Sequence, residues 1–160
     1  MILVDFNKKI KGDCQLSKHK EWIQCESVNL GANRGVEFAG GSAKRQVSHP
    51  MFSEVTFSKS ADRASADLFM QAICGVSLGD ATVNFSQTAG QDEDDQVFQS
   101  WTLHDAIITS YNQSSGGGGL PSESFSVSFT KITFQYNEFD GTKVKKGDAK
   151  KWDLQTNKTF

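Results

Sequence analysis

Residues 122–136, reading SESFSVSFTKITFQY, constrain the fold more than any other stretch of the chain. Phe125, Val127 and Phe129 alternate with Ser124, Ser126, Ser128 and Thr130. A period of two places the apolar side chains on one face of a β-strand and the hydroxyls on the other. At Thr130-Lys131 the phase shifts, and Ile132, Phe134 and Tyr136 continue one residue out of step. An unrepaired slip would send every later side chain to the wrong face. A β-bulge repairs it by inserting one residue and bending the strand. The stretch therefore predicts one long, bent strand with a bulge near Thr130 and Lys131. Such a strand suits a closed or nearly closed β-barrel, in which each strand curls around the core.

The rest of the chain agrees with a mainly β fold. A run at residues 2–6 predicts a first strand. A polar loop over residues 8–20 follows, then a second strand at 22–28 with Ile23 and Cys25 inward and Gln24 and Glu26 outward. Alternation returns at 51–58 through Val55 and Phe57, at 81–85, at 96–103, at 107–111 and at 151–154. Residues 59–75 hold the good helix signal. Ser65 is the expected N-cap and Asp67 favours the first turn. Leu68, Phe69, Ala72 and Ile73 fall on one side, and Gly75 supplies the C-cap. A helix of about ten residues is marginal alone, so it should pack on the flank of the barrel. With 160 residues, the chain suits one domain spanning 1–160.

Residues 30–50 have no clear period. Gly31, Gly35, Gly40 and Gly41 alternate there with Arg34, Lys44 and Arg45. A long excursion of this kind is often functional, and it is read as a projecting loop or loose hairpin. Residues 114–119 form a second, Ser/Gly-rich loop.

Charge and composition exclude several functions. The net charge is −2 with both signs well mixed, so no basic stripe recruits nucleic acid. No apolar run reaches membrane-spanning length, so no membrane insertion is expected. The N-terminus reaches Asp5 too early for a secretory signal peptide. Cys14, Cys25 and Cys74 cannot all pair within one chain, which points to reduced thiols.

Chemistry-bearing patterns are sparse. Gly75-Val76-Ser77-Leu78-Gly79 matches G-x-S-x-G, but a helix precedes it and a strand follows, the reverse of a nucleophile elbow. A hydrolase reading would pair Ser77 with His104. Cys14, His19 and Cys25, with His49 and His104, lack the close ligand pairs of structural zinc. The acidic run Asp92-Glu93-Asp94-Asp95 lacks calcium-loop spacing and reads as a solvated hairpin tip. Gly116 to Gly119 is followed by no Lys-Ser or Lys-Thr pair. The residues therefore give no catalytic, metal or cofactor site, and no cofactor is expected. They leave open a building block that assembles with copies of itself and a monomeric β-barrel binding module for a small ligand or glycan.

Several strings narrow the choice. They are Lys11-Gly12 with His19-Lys20-Glu21-Trp22-Ile23, then Arg45-Gln46-Val47-Ser48-His49 entering Phe57-Ser58-Lys59, then Asp62-Arg63-Ala64-Ser65 with Leu68 and Ala72-Ile73-Cys74-Gly75. Ser110-Tyr111, Leu120-Pro121-Ser122-Glu123-Ser124, Lys131-Ile132, Tyr136, Trp152-Asp153-Leu154 and Asn157-Lys158 follow. In this order they resemble the haemolysin-coregulated protein family, the tube subunits of the bacterial type VI secretion system. The resemblance implies a β-barrel with one flanking helix and a long loop reaching a neighbour. It also implies a homo-hexameric ring, and stacking of rings into a hollow tube inside a contractile sheath with a spike at its tip. Effector proteins would ride in the lumen. The subunit would be cytoplasmic before assembly and then secreted through the apparatus, without a signal peptide, and would not be an enzyme. Ring closure needs a heterologous contact, for which exposed strand edges are suited. For stacking, the 30–50 loop is the candidate, with Arg34, Arg45 and His49 as inter-subunit contacts.

Overall fold

The computed structural model describes residues 1–38, 45–88, 95–139 and 144–160. The chain opens with β1 (Ile2–Asp5), then a 3₁₀ turn at Ser17–His19, β2 (Ile23–Cys25) and β3 (Ser27–Asn29). A ladder of short strands runs outward from there: β4 (Ala32–Asn33), β5 (Val36–Phe38), β6 (Arg45–Val47) and β7 (Met51–Phe52). The chain returns through β8 (Val55–Ser60) into α1 (Ser65–Cys74). Long strands follow in β9 (Ala81–Thr88), β10 (Asp95–His104), β11 (Ile107–Ser114), β12 (Ser122–Ser128) and β13 (Lys131–Tyr136). The small pair β14 (Glu138–Phe139) and β15 (Val144–Lys145) precedes the last strand, β16 (Lys150–Asp153).

Two antiparallel sheets carry the core. One has the order β16-β13-β10-β9-β1-β2, the other β11-β12-β8-β3. The chain passes directly from one sheet to the other at three corners: β2 to β3 across Glu26, β10 to β11 across Asp105-Ala106, and β12 to β13 across Phe129-Thr130. At each corner a backbone N–H is paired with a carbonyl of another strand or loop. Glu26 N–H donates to Ser58 O at 2.8 Å, Ala106 N–H to Gly79 O at 2.7 Å, and Thr130 N–H to His104 O at 3.0 Å. Asp105 makes its turn with φ 54°, a left-handed conformation that aspartate tolerates.

The fold is thus mainly β with one helix on its flank, as the sequence predicts. Its two sheets pack about a common core and are joined at the three corners, and among the described residues they do not close into one hydrogen-bonded ring. The long strand expected over 122–136 needs correction. It is two strands, one in each sheet, and the phase shift at Thr130 marks a corner rather than a bulge. Glu123, Phe125, Val127 and Phe129 point inward before it and Ile132 after it. Bulges do occur in the neighbouring strands, between Val97 and Gln99 of β10 and between Ile108 and Ser110 of β11.

Aromatic rings fill the centre. Phe57 stacks on Phe125 with centroids 5.0 Å apart, and Phe6 meets Phe125 at 6.3 Å. All three are fully buried among Val4, Ile23, Leu103 and Val127, each worth roughly 1.5–3 kcal/mol of transfer free energy. The helix buries Leu68 and half-buries Ala72 against this core, but Phe69 and Ile73 face outward. Ser65 is not the N-cap. Ala64 holds that position, Ser65 Oγ accepts a hydrogen bond from Asp62 N–H, and Asp62 Oδ1 accepts one from Ala64 N–H. Gly75 does end the helix, with φ 63°.

The loop before β2 is folded tightly. Gly12 N–H donates to Glu21 O at 2.8 Å, and Arg63 Nη2 donates to Gly12 O at 2.5 Å. A Cβ on Gly12 would stand 2.3 Å from Trp22 O, which is backbone and cannot swing away. Gly12→Ala is therefore expected to lower stability by about 1–3 kcal/mol, as overpacking does. Gly116→Ala, in open space, should change it by less than about 0.5 kcal/mol. Urea unfolding of the two dilute variants checks the contrast.

Candidate assembly surfaces

The arm grows out of the four-stranded sheet. β3 and β8 are antiparallel neighbours, and their continuations pair again as Ala32 with Phe52, Asn33 with Met51, Val36 with Val47 and Phe38 with Arg45. The loose hairpin expected at residues 30–50 is present, although its tip at 39–44, with Gly40, Gly41 and Lys44, lies outside the described residues. Two clasps brace it. Gly31 N–H donates to Ser53 Oγ and Gly35 N–H to Ser48 Oγ, each at 2.8 Å, while Ser53 N–H and Ser48 N–H return bonds of 2.9 Å to the glycine carbonyls. A Cβ on Gly35 would meet Ser48 Oγ at 3.0 Å, so glycine lets the serine hydroxyl approach the backbone.

This ribbon has no core of its own. Val36, Phe38, Val47 and Met51 are all more than half exposed, Phe38 at 73%. By the pleat, Val36, Phe38, Val47 and Arg45 share one face. The Arg45 guanidinium lies over the Phe38 ring, 5.7 Å from its centroid. Arg34 and His49 are exposed, and their side chains make no hydrogen bond or ion pair with the described residues. The three predicted contact residues therefore lie along one arm without forming a cluster. Phe38 is the residue that the sequence reading passed over. Its place in an alternating Val36–Glu37–Phe38 run was the available signal.

A second surface lies between α1 and β11. Phe69 and Tyr111 meet edge to face with centroids 5.9 Å apart. With Ser65, Ala66 and Gln113 they line an open cleft of about 480 Å³. Below it lies a buried ionic network. Lys59 Nζ is 2.9 Å from Glu123 Oε2 and 2.7 Å from Asp62 Oδ1, and Tyr111 OH and Gln113 Nε2 donate to Glu123 Oε1 at 2.8 and 3.0 Å. Burial alone would raise the Glu123 pKa, but hydrogen bonds from Ser65, Lys59 and Tyr111 outweigh it and hold the carboxyl below its ordinary value. Burial and the facing carboxylate push the Tyr111 phenol up to about 12. Glu123 is in phase with the inward Phe125 and Val127, but nothing in the local sequence announced a partnered charge there.

The weaker chemical candidates engage other partners than each other. Ser77 Oγ donates to Asp105 Oδ1 at 2.5 Å, whereas the His104 ring contacts Asp80 Oδ1 at 3.0 Å and Thr133 Oγ1 at 3.2 Å. Serine and histidine thus have different partners. Cys14 and Cys25 are buried and Cys74 is exposed, all unpaired as thiols. Burial raises the Cys25 thiol to about 12. His19 sits against Trp22 and Asn84 and is held below its ordinary value by burial, only partly opposed by Asp95. Among the described residues no three His, Cys, Asp or Glu side chains gather as a metal site, and no helix is long and apolar enough to cross a membrane. Asp92, Glu93 and Asp94 lie outside the described residues.

Comparison with known proteins adds the following. Residues 4–136 match a family model described as type VI secretion system effector, Hcp. A solved structure of a type six secretion system protein superposes with a TM-score of 0.88 at 24% identity, covering 99% of this chain and 98% of that one. Hcp1 from Salmonella typhimurium superposes at 0.78 with 19% identity, over 99% and 97% of the two chains. A type VI secretion system effector from Yersinia pestis does so at 0.66 with 21% identity, over 96% and 99%. These structural likenesses establish the fold. No curated protein matches the sequence.

The ionic network under the cleft gives two measurable outcomes. Lys59→Met leaves buried carboxylates without their cation and should cost about 3–5 kcal/mol, whereas Lys59→Met with Glu123→Leu should recover much of that loss. Because folding lowers the Glu123 pKa, its contribution is complete above the ordinary glutamate range and is lost as pH falls through the folded value. Unfolding midpoints of the wild type should therefore drop across that acidic window more steeply than those of the double variant.

Proposed function

We propose, from the premise that the chain belongs to the Hcp family of type VI secretion system proteins, that it is a tube subunit over residues 1–160. Six copies close into a ring, and rings stack into a hollow tube that the secretion apparatus propels from the cell. The observation that carries this reading is the braced arm, which holds Val36, Phe38, Val47 and Met51 exposed, with no described residue of the chain covering them. Monomers rarely keep such a surface without a partner for it. The edge strands β2, β3, β11 and β16 offer further backbone groups for lateral pairing.

In this reading Arg34, Arg45 and His49 contact neighbouring subunits, and the ring lumen carries effector proteins. Sheath and spike proteins are the other partners. The subunit resides in the cytoplasm until assembly and leaves through the apparatus. It has a structural role and no catalytic one, in keeping with Ser77 and His104 serving separate hydrogen-bond partners.

Electron microscopy of the purified chain tests the proposal. The expected result is a ring with a central hole, and short tubes at high concentration. A strictly monomeric mass at high concentration would overturn it in favour of a single-subunit binding module. Replacing residues 30–50 by a short glycine-containing turn should keep the fold, because β3 and β8 are already paired and a turn can join them. The same change should abolish tubes. Tubes of normal length from that variant would remove the arm from the account.

A further inference from the structure

Two surface features complement each other and do not meet within the described residues of the subunit. One is a knob. Phe38 is 73% exposed on the arm, with the Arg45 cation riding over its ring. The other is the aromatic cleft between α1 and β11, whose Phe69 and Tyr111 rings stand edge to face. Ile73, one helical turn beyond Phe69 and 63% exposed, extends the apolar wall.

Charge favours the same match. Under the cleft, one cation, Lys59, is shared by two carboxylates, Asp62 and Glu123, which leaves one net negative charge. The knob brings a cation. An aromatic side chain entering a groove lined by Phe and Tyr, with Arg at its rim, has the composition of an interface anchor. Reach is adequate: the eight residues from Gly31 to Phe38 span about 25 Å when extended.

We propose that Phe38 of one copy docks in the α1–β11 cleft of a second copy. The inference rests on the tube-subunit reading and names the two surfaces that it joins. Knob and cleft are different patches, so each contact is head-to-tail and leaves a free knob and a free cleft for the next copy. The occupant is another arm of this chain because the knob's aromatic ring and cation answer the cleft's aromatic walls and excess carboxylate.

Cross-linking tests it. In a Cys74→Ser background, which removes the exposed native thiol, Val47→Cys beside the knob and Met70→Cys beside the cleft, both exposed and both sparing Phe38, Phe69 and Tyr111, are combined and treated with a short bifunctional maleimide. The expected result is a ladder of covalent multimers on a denaturing gel, while each single variant stops at dimers. Phe38→Asp should raise the concentration needed for assembly by at least about tenfold without moving the unfolding midpoint of the dilute subunit. Particles that assemble normally but give no ladder, or Phe38→Asp particles that form at the wild-type concentration, overturn the docking and leave the tube reading standing. A wild type that never assembles overturns both.

Discussion

The corner at Phe129-Thr130 is the constraint on which the architecture depends. The chain leaves one sheet for another at a buried Phe129 and a half-buried Thr130, where an unpaired peptide group is costly. Here the turn is paired on both sides. Thr130 N–H donates to His104 O, and Leu154 N–H donates to Thr130 O. The β10–β11 corner thus holds the β12–β13 corner, and the chain after β16 closes over both. With those bonds made, Phe125 and Val127 in one sheet and Ile132 in the other all reach the same core. The opposite corner, at Glu26, sets β3 beside β8 and so launches the arm.

How much of this was legible depended on which force set each feature. Alternation is local, so strands such as β8 and β9 and the inward set Phe125, Val127 and Phe129 could be read directly. The phase shift at Thr130 was visible as well, but its meaning was not. A bulge and a change of sheet both insert one residue, and only the identity of the strand's neighbours tells them apart. The helix shows the same limit. Its span and its Gly75 stop follow from local chemistry. The outward turn of Phe69 follows from where Tyr111 lies, 42 positions away. The Lys59–Glu123 pair is 64 residues apart in sequence, beyond any local pattern.

The excursion that carries the candidate residues was legible in outline. A glycine-spaced stretch without a period signalled an excursion from the core, and Arg34, Arg45 and His49 are exposed on it. The apolar face of the arm was harder to see, because Val36 and Phe38 look like core residues until the structure shows no core beneath them. The family strings have a structural counterpart. Lys11 and Arg63 both approach the Glu21 carboxylate, and Arg63 also reaches the Gly12 carbonyl and Asp13. Residues scattered along the sequence thereby fasten the first loop to the helix entrance.

The glycine–serine clasps bear on the speed of encounter. A disordered segment that folds as it binds must lose its chain entropy during the event, and many collisions are unproductive. Here Ser48 and Ser53 lock the ribbon's shape beforehand by bonds within the subunit. In the proposed tube the arm would therefore meet its neighbour already shaped, and growth would be governed by diffusion and orientation rather than by the search of a loose peptide for its bound form.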